Sequence, residues 1–201
     1  VDHVTVTKLD QIWFPGADLR YNRDMENNHM TTAVTFGRMN LPHPGHVHLV
    51  QRMLQEADQA VVSLSLAKKN NDVELRRAAF GILLEHAGVD IDRVMFTGAP
   101  GPYQAVEECI TDVLTRQVQP ELQQATTVVL GLDQSKLGER LRDDLGVKFV
   151  PNEIRVGSST VIRHFLEIGD EQIVREIYHG DDELFRMILQ LRSEELSREK
   201  S

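Results

Sequence analysis

"AVTFGRMNLPHPGHVHLVQRMLQEADQAVVSLSL", residues 33 to 66, holds one full step of an α/β fold. "AVTF" is a short apolar run that reads as a buried strand, "HVHLVQRMLQEAD" repeats its apolar positions at helical spacing, and "AVVSLSL" is a second strand. Parallel strands need a crossover between them, and a helix laid on the sheet supplies it. Outward from this unit the alternation continues. "DVELRRAAFGILLEHAG" reads as a helix ending at Gly88, "RVMFTG" as a strand, "PYQAVEECITDVLTRQV" as a helix and "TTVVLGLD" as a strand. "SKLGERLRDDLG" and "VKFVP" add a last helix and strand. Five strands with intervening helices predict an α/β chain with a doubly wound, five-stranded parallel sheet and right-handed crossovers.

The flanks differ from this core. Residues 158 to 201 read as helices in "SSTVIRHFLEIGD", "EQIVREIYHG" and "DDELFRMILQLRSEELSREK". From residue 167 onward ten acidic residues stand against five basic ones, which reads as a solvated helical face. Residues 1 to 30 pass from a short period-2 stretch through Pro15-Gly16 into a polar run that carries Trp13, Phe14 and Tyr21. They read as an arm that packs on its own body or on a neighbouring subunit, with a loosely ordered extension as the alternative. The organisation expected is an arm (1–30), a core (31–157) and a C-terminal helical segment (158–201), in a chain whose 201 residues suit one large domain.

Composition narrows the function. No apolar run approaches the length that crosses a bilayer, and no basic-then-apolar signal segment opens the sequence. Cys109 is the single cysteine and reads as helix core filler, so a reducing, cytoplasmic setting is expected. A net charge of −9 opposes sequence-independent nucleic-acid binding, which depends on Lys and Arg neutralising phosphates. A small anionic substrate stays compatible with it, because a few local donors can override the global field.

In an open parallel sheet, ligands gather at the carboxyl ends of the strands. "GRMNLPHPGH", residues 37 to 46, lies there. Gly37 lets the chain turn, Arg38 can reach a phosphate, and Pro44 and Gly45 open the next helix with His46 in its first turn, where free N–H groups favour anions. Three chemistries compete for the loop. His43, His46 and His48 could hold a metal, although no cysteine lies nearby and two prolines restrict the rings. The histidines could merely fill a turn, or they could handle phosphate.

The loop resembles the first signature of the nucleotidylyltransferase superfamily, G-R-F-x-P-P-H-x-G-H, with His43, Pro44, Gly45 and His46 as its H-x-G-H tetrad. Met39 stands in place of the usual Phe and Leu41 in place of the first Pro. "GSSTVIR", residues 157 to 163, resembles the second signature, I-S-S-T-x-I-R, and like it follows the fifth strand and opens a helix. Alone, "SST" before a helix is an ordinary capping sequence. With the tetrad upstream, Ser158, Ser159, Thr160 and the helix start can hold a triphosphate, and Arg163 adds a fixed positive charge. The resemblance covers roughly residues 31 to 180 and is close in layout to short, stand-alone cytidylyltransferase-like members encoded by bacteriophages.

The resemblance implies a Rossmann-like nucleotidylyltransferase fold and transfer of a nucleoside monophosphate from a triphosphate to a phosphorylated acceptor, with release of pyrophosphate and help from Mg²⁺. His43, His46 and Arg163 are the catalytic candidates it implies. Gly37, Arg38, Gly45, Lys68, Gly131, Asp133, Ser158, Ser159 and Thr160 are the nucleotide-binding ones. Asp133 would contact the ribose, with capping of the following helix as its alternative; Lys68 or Lys69 would meet the phosphates, with surface solvation as theirs. Adenylyl transfer from ATP to nicotinamide mononucleotide, giving NAD, ranks first, although "GLDQSKLGERL" lacks the aromatic residue that often stacks on nicotinamide. Cytidylyl transfer from CTP follows. The other class of function is a structural or assembly protein that keeps the fold. The expected partners are the nucleotide, the acceptor and further copies of the chain, with the arm as contact.

Overall fold

The computed structural model describes residues 31–65, 73–99, 126–154 and 157–199. The arm read in residues 1–30, Lys68 and Lys69, and the helix read in 102–118 with its Cys109 lie outside them. Within them run β1 (Thr32–Gly37), α1 (Pro44–Glu56), β2 (Gln59–Ser65), α2 (Val73–His86), β3 (Val94–Ala99) and β4 (Thr126–Gly131). Then follow α3 (Ser135–Leu145), β5 (Lys148–Asn152), α4 (Ser159–Glu167), α5 (Glu171–Ile177) and α6 (Asp182–Glu199). The five strands form one parallel sheet in the order β3-β2-β1-β4-β5, with helices on it, as the alternating sequence pattern requires.

Alternate residues of the strands serve two faces. Ala33, Ala60, Val62, Leu64, Val129 and Val150 join a large core with α1, α2 and residues of α4 and α6 such as Ile162, Leu184 and Ile188. Phe36, Val128 and Leu130 point the other way and pack with Leu141, Leu137 and Phe149. The helices after residue 158 therefore share the core of the sheet, because their apolar stripes have no other surface to cover.

Chain order reverses at β1. Its ladder with β2 runs to Gly37↔Leu64, but its ladder with β4 ends at Val34↔Val128. β4 itself continues along β5 to Gly131↔Asn152. The carboxyl ends of β1 and β4 thus part from each other, and the segments after Gly37, Gly131 and Asn152 are delivered to the edge of that opening, where an open α/β sheet places its ligand.

One contact on the second face has a definite energetic sign. Gly138 is buried in α3, and a Cβ on it would lie 2.1 Å from Cε2 of Phe149 on β5. Gly138→Ala should gain about 1 kcal/mol in helix propensity. It should lose more, about 1–3 kcal/mol, by forcing the ring out of its packed position. A lower urea midpoint than the parent protein is expected, and a higher one would show that the ring gives way freely.

Candidate functional site

The loop from Arg38 to Pro42 leaves β1 through a strained residue. Met39 has φ +42°, a left-handed conformation that a non-glycine residue adopts at a cost of about 1–3 kcal/mol. Burial of its side chain in the main core offsets that cost. Three carbonyls of the loop are then taken up by side chains. Arg76 of α2, itself fully buried, donates from Nη1 to the Arg38 carbonyl. Ser159 Oγ donates to Leu41 O over 3.2 Å, and Tyr178 Oη to Pro42 O over 2.7 Å. Burial holds the Tyr178 phenol far above the usual tyrosine range, so it remains a donor at any working pH. Three different helical regions thus pin a five-residue loop.

His43 caps α1. Its Nδ1 accepts from the Gly45 N–H over 3.1 Å, and its carbonyl accepts from His46 N. Pro44 follows at the first helical position, where its missing N–H is no loss. The rings of His43 and His46 stack with centroids 3.8 Å apart and an interplanar angle of 30°. Desolvation, then the positive charge of Arg163, lowers the His43 pKa to about 4; burial, then His43, holds His46 well below the ordinary imidazole value. Both rings are therefore neutral at pH 7. Since His43 Nδ1 is an acceptor, its proton sits on Nε2, which is left as a donor. His46 Nδ1 is buried with no hydrogen-bonding partner among the described residues.

The second segment meets the first directly. Gly157 has φ +71°, and a Cβ placed on it would lie 3.9 Å from both His43 Nδ1 and Pro44 Cδ, so the turn before α4 runs beside the histidine loop. Ser158 caps α4 by accepting from Val161 N, Ser159 spends its hydroxyl on Leu41 O, and Thr160 is exposed in the first turn. Arg163 gives a two-pronged pair to Glu195 of α6, Nη2 to Oε1 at 2.7 Å and Nε to Oε2 at 3.0 Å. Asn40 Nδ2 reaches the same carboxylate at 3.1 Å, and so does Arg192 Nη1 at 3.1 Å.

The remaining candidates fall on the same edge of the sheet. Gly37 ends β1, Gly45 lies in the first turn of α1, and Arg38 is exposed in the loop between them. Gly131 ends β4, where a Cβ would meet Asp133 Oδ1 at 2.6 Å. Asp133 is exposed in the short turn Leu132–Gln134, and the cap of α3 is Gln134, with no side-chain capping bond, so capping does not explain the aspartate. The described residues contain no group of three His, Cys, Asp or Glu able to hold a metal ion, and no helix among them is long and apolar enough to cross a membrane.

Glu195, Tyr178 and Arg76 were not legible as site residues. The acidic tail was expected to be a solvated face, and Glu195 corrects that: it is buried and satisfied by cations, because an unpaired carboxylate could not be held there. A signal existed. Glu195 stands four residues after Leu191, on the buried stripe of Leu184, Ile188 and Leu191.

No protein-family model matches this chain, and no curated protein does. Solved structures do. A bifunctional NMN adenylyltransferase/ADP ribose pyrophosphatase from Francisella tularensis, complexed with AMP and a manganese ion, aligns at 18% identity with a TM-score of 0.53, over 67% of this chain and 41% of its own. A second structure described in the same terms, from the same organism, aligns at 18% identity with a TM-score of 0.57, over 70% of this chain and 43% of its own. The likeness is one of fold, Rossmann-like and α/β, and the chain spans about two fifths of the length of those proteins.

The neutral histidines make stability depend on pH in a definite sense. A histidine whose folded pKa lies below its unfolded value contributes fully above about pH 6.5, and that contribution is lost as pH falls toward about 4, because the unfolded chain takes up the proton first. His43→Asn keeps a capping acceptor for Gly45 N–H but removes the titration. Unfolding free energy measured in urea should fall more gently between pH 6.5 and about 4.5 in the variant than in the parent. Identical slopes would show that His43 is not held neutral.

Proposed function

We propose that the chain is a nucleotidylyltransferase, which moves a nucleoside monophosphate from a triphosphate to a phosphorylated acceptor and releases pyrophosphate. The observation that carries this reading is the meeting of two segments more than a hundred residues apart at the sheet's switch point, with Ser159 bonded to Leu41 O and Gly157 beside His43. The fold shared with two structures of an adenylyltransferase-containing protein supports it. ATP with nicotinamide mononucleotide, giving NAD, is the first pairing, and CTP with another phosphorylated acceptor is the second.

In the reaction an oxygen of the acceptor phosphate bonds to the α-phosphorus while the bond to the bridging oxygen breaks, and pyrophosphate departs with that electron pair. No covalent bond to the protein is needed, so the work is positioning and stabilisation of charge. Neutral His43 donates from Nε2 to an α-phosphate oxygen, and His46 acts beside it. The first turn of α4 with Thr160, and the guanidinium of Arg163, receive the β and γ groups, with Arg38 at the loop's mouth. The hydroxyls of Ser158 and Ser159 hold the turn itself in place. Asp133 is the candidate for the ribose hydroxyls. Mg²⁺, where bound with the triphosphate, would neutralise part of the charge on its oxygens. The chain works in the cytoplasm in this reading, and the arm of residues 1–30 joins copies of it.

His46→Ala, compared with the parent under conditions where both are folded, should lower turnover by on the order of a hundredfold or more, the usual effect of losing a charge-stabilising donor. Pyrophosphate release, measured with ATP and with CTP against nicotinamide mononucleotide and a panel of phosphorylated acceptors, identifies the pairing and compares the variant. Full activity in His46→Ala would sink the assignment. No release by the parent with any pairing would favour a structural protein built on the same fold.

A further inference from the structure

Glu195 touches both segments of the site. Its Oε1 accepts from Arg163 Nη2 and from Asn40 Nδ2, and its Oε2 accepts from Arg163 Nε and from Arg192 Nη1. Asn40 lies in the loop after β1 and Arg163 in α4, 123 positions apart in the sequence. Both are gripped from α6. Arg192 extends the grip, since its Nη2 donates to Glu167 at the far end of α4 over 2.8 Å. Glu195 and Arg192 are both buried.

Geometry and charge both bear on nucleotide binding. A bidentate pair fixes the plane of a guanidinium, which a single hydrogen bond or an apolar contact would leave free to turn. Glu195 is shared by Arg163 and Arg192, and Arg192 also pairs with Glu167, so the carboxylate orients Arg163 as part of a network rather than as an isolated pair. Arg163 is close enough to His43 to depress its protonation.

We infer that Glu195 is the positioning residue of the nucleotide site: it holds Arg163 in the orientation that receives the triphosphate and, through Asn40, sets the distance between α4 and the histidine loop. This rests on the nucleotidyl-transfer reading above.

Calorimetric titration with ATP and Mg²⁺ of the full chain tests it in five proteins: the parent, Glu195→Asp, Glu195→Gln, Arg163→Ala, and Glu195→Gln combined with Arg163→Ala. Aspartate keeps the charge but is one methylene short, and glutamine keeps the length but has one acceptor oxygen in place of two, so it cannot accept the bidentate pair from Arg163. Each single variant at Glu195 should weaken ATP binding by about tenfold, as coupled neighbours do, and raise KM for ATP more than it lowers kcat. In the Arg163→Ala background the glutamine change should weaken ATP no further, which a merely structural role would not produce. Parent-like affinity in Glu195→Asp overturns the inference, since charge alone would then suffice. Additive losses in the double variant overturn it too, and if Glu195→Gln does not fold, Glu195→Asp with and without Arg163→Ala makes the same comparison. A parent that binds neither ATP nor CTP overturns the transfer reading and this inference with it; a parent that binds, with unaffected variants, overturns only the inference.

Discussion

The structure depends on the need of a turning backbone for hydrogen-bond partners where water is excluded. Between β1 and α1 the chain makes a tight excursion under the C-terminal helices, and its carbonyls cannot pair within a helix or ladder. Arg76 takes that of Arg38, Ser159 that of Leu41 and Tyr178 that of Pro42. An unsatisfied buried carbonyl would cost about 1–3 kcal/mol, so these are conditions of folding as well as of the site. They also explain why segments far apart in sequence come into register: α2, α4 and the end of α5 can satisfy the loop only from one arrangement.

Electrostatics at this edge run against the chain as a whole. The sequence carries a net charge of −9, but the residues gathered around the histidine stack are guanidiniums, neutral imidazoles and the start of α4. The buried acid among them, Glu195, is shared between Arg163 and Arg192. Neutral rings suit such a place, since a third and fourth positive charge in a desolvated pocket would repel the first two. With the rings neutral, the cap that makes His43 Nδ1 an acceptor leaves the proton on Nε2 as a donor.

Much of the fold was legible because parallel strands and their crossover helices carry opposite periodicities, and "AVTF" to "AVVSLSL" alternates between them. The strands fall within a residue or two of their reading, and β4 stops at Gly131 because the chain tightens into a short turn through Asp133. The histidines and serines were legible as candidates through local chemistry and a family resemblance. What escaped notice were partners that act from a distance. Tyr178 lies within the stretch "EQIVREIYHG" and Arg76 within "DVELRRAAFGILLEHAG", both read as helices with no site role for either residue, and Glu195 reads as one of many acids in a tail. Composition averages over a helix, while burial is decided residue by residue. Only the position of Glu195 on the stripe of Leu184, Ile188 and Leu191 marked it, and a charge on a buried stripe says that a partner exists without naming it.

The C-terminal helices therefore have two duties that share residues. Ile162, Val174, Leu184 and Ile188 complete the same apolar core that holds β1 and α1, while Arg163, Tyr178 and Glu195, interleaved with them along the chain, hold the loop and the turn before α4. Because a helix turns its faces every few residues, a stripe packed on the sheet fixes where its neighbours point. Packing of α4 to α6 thus sets the orientation of the site, and any ligand that bridges the histidine loop and the first turn of α4 would draw on the same contacts that close the core. Binding to such a site stabilises the folded chain as a unit rather than one loop of it, since both sides of the ligand belong to a single hydrophobic cluster.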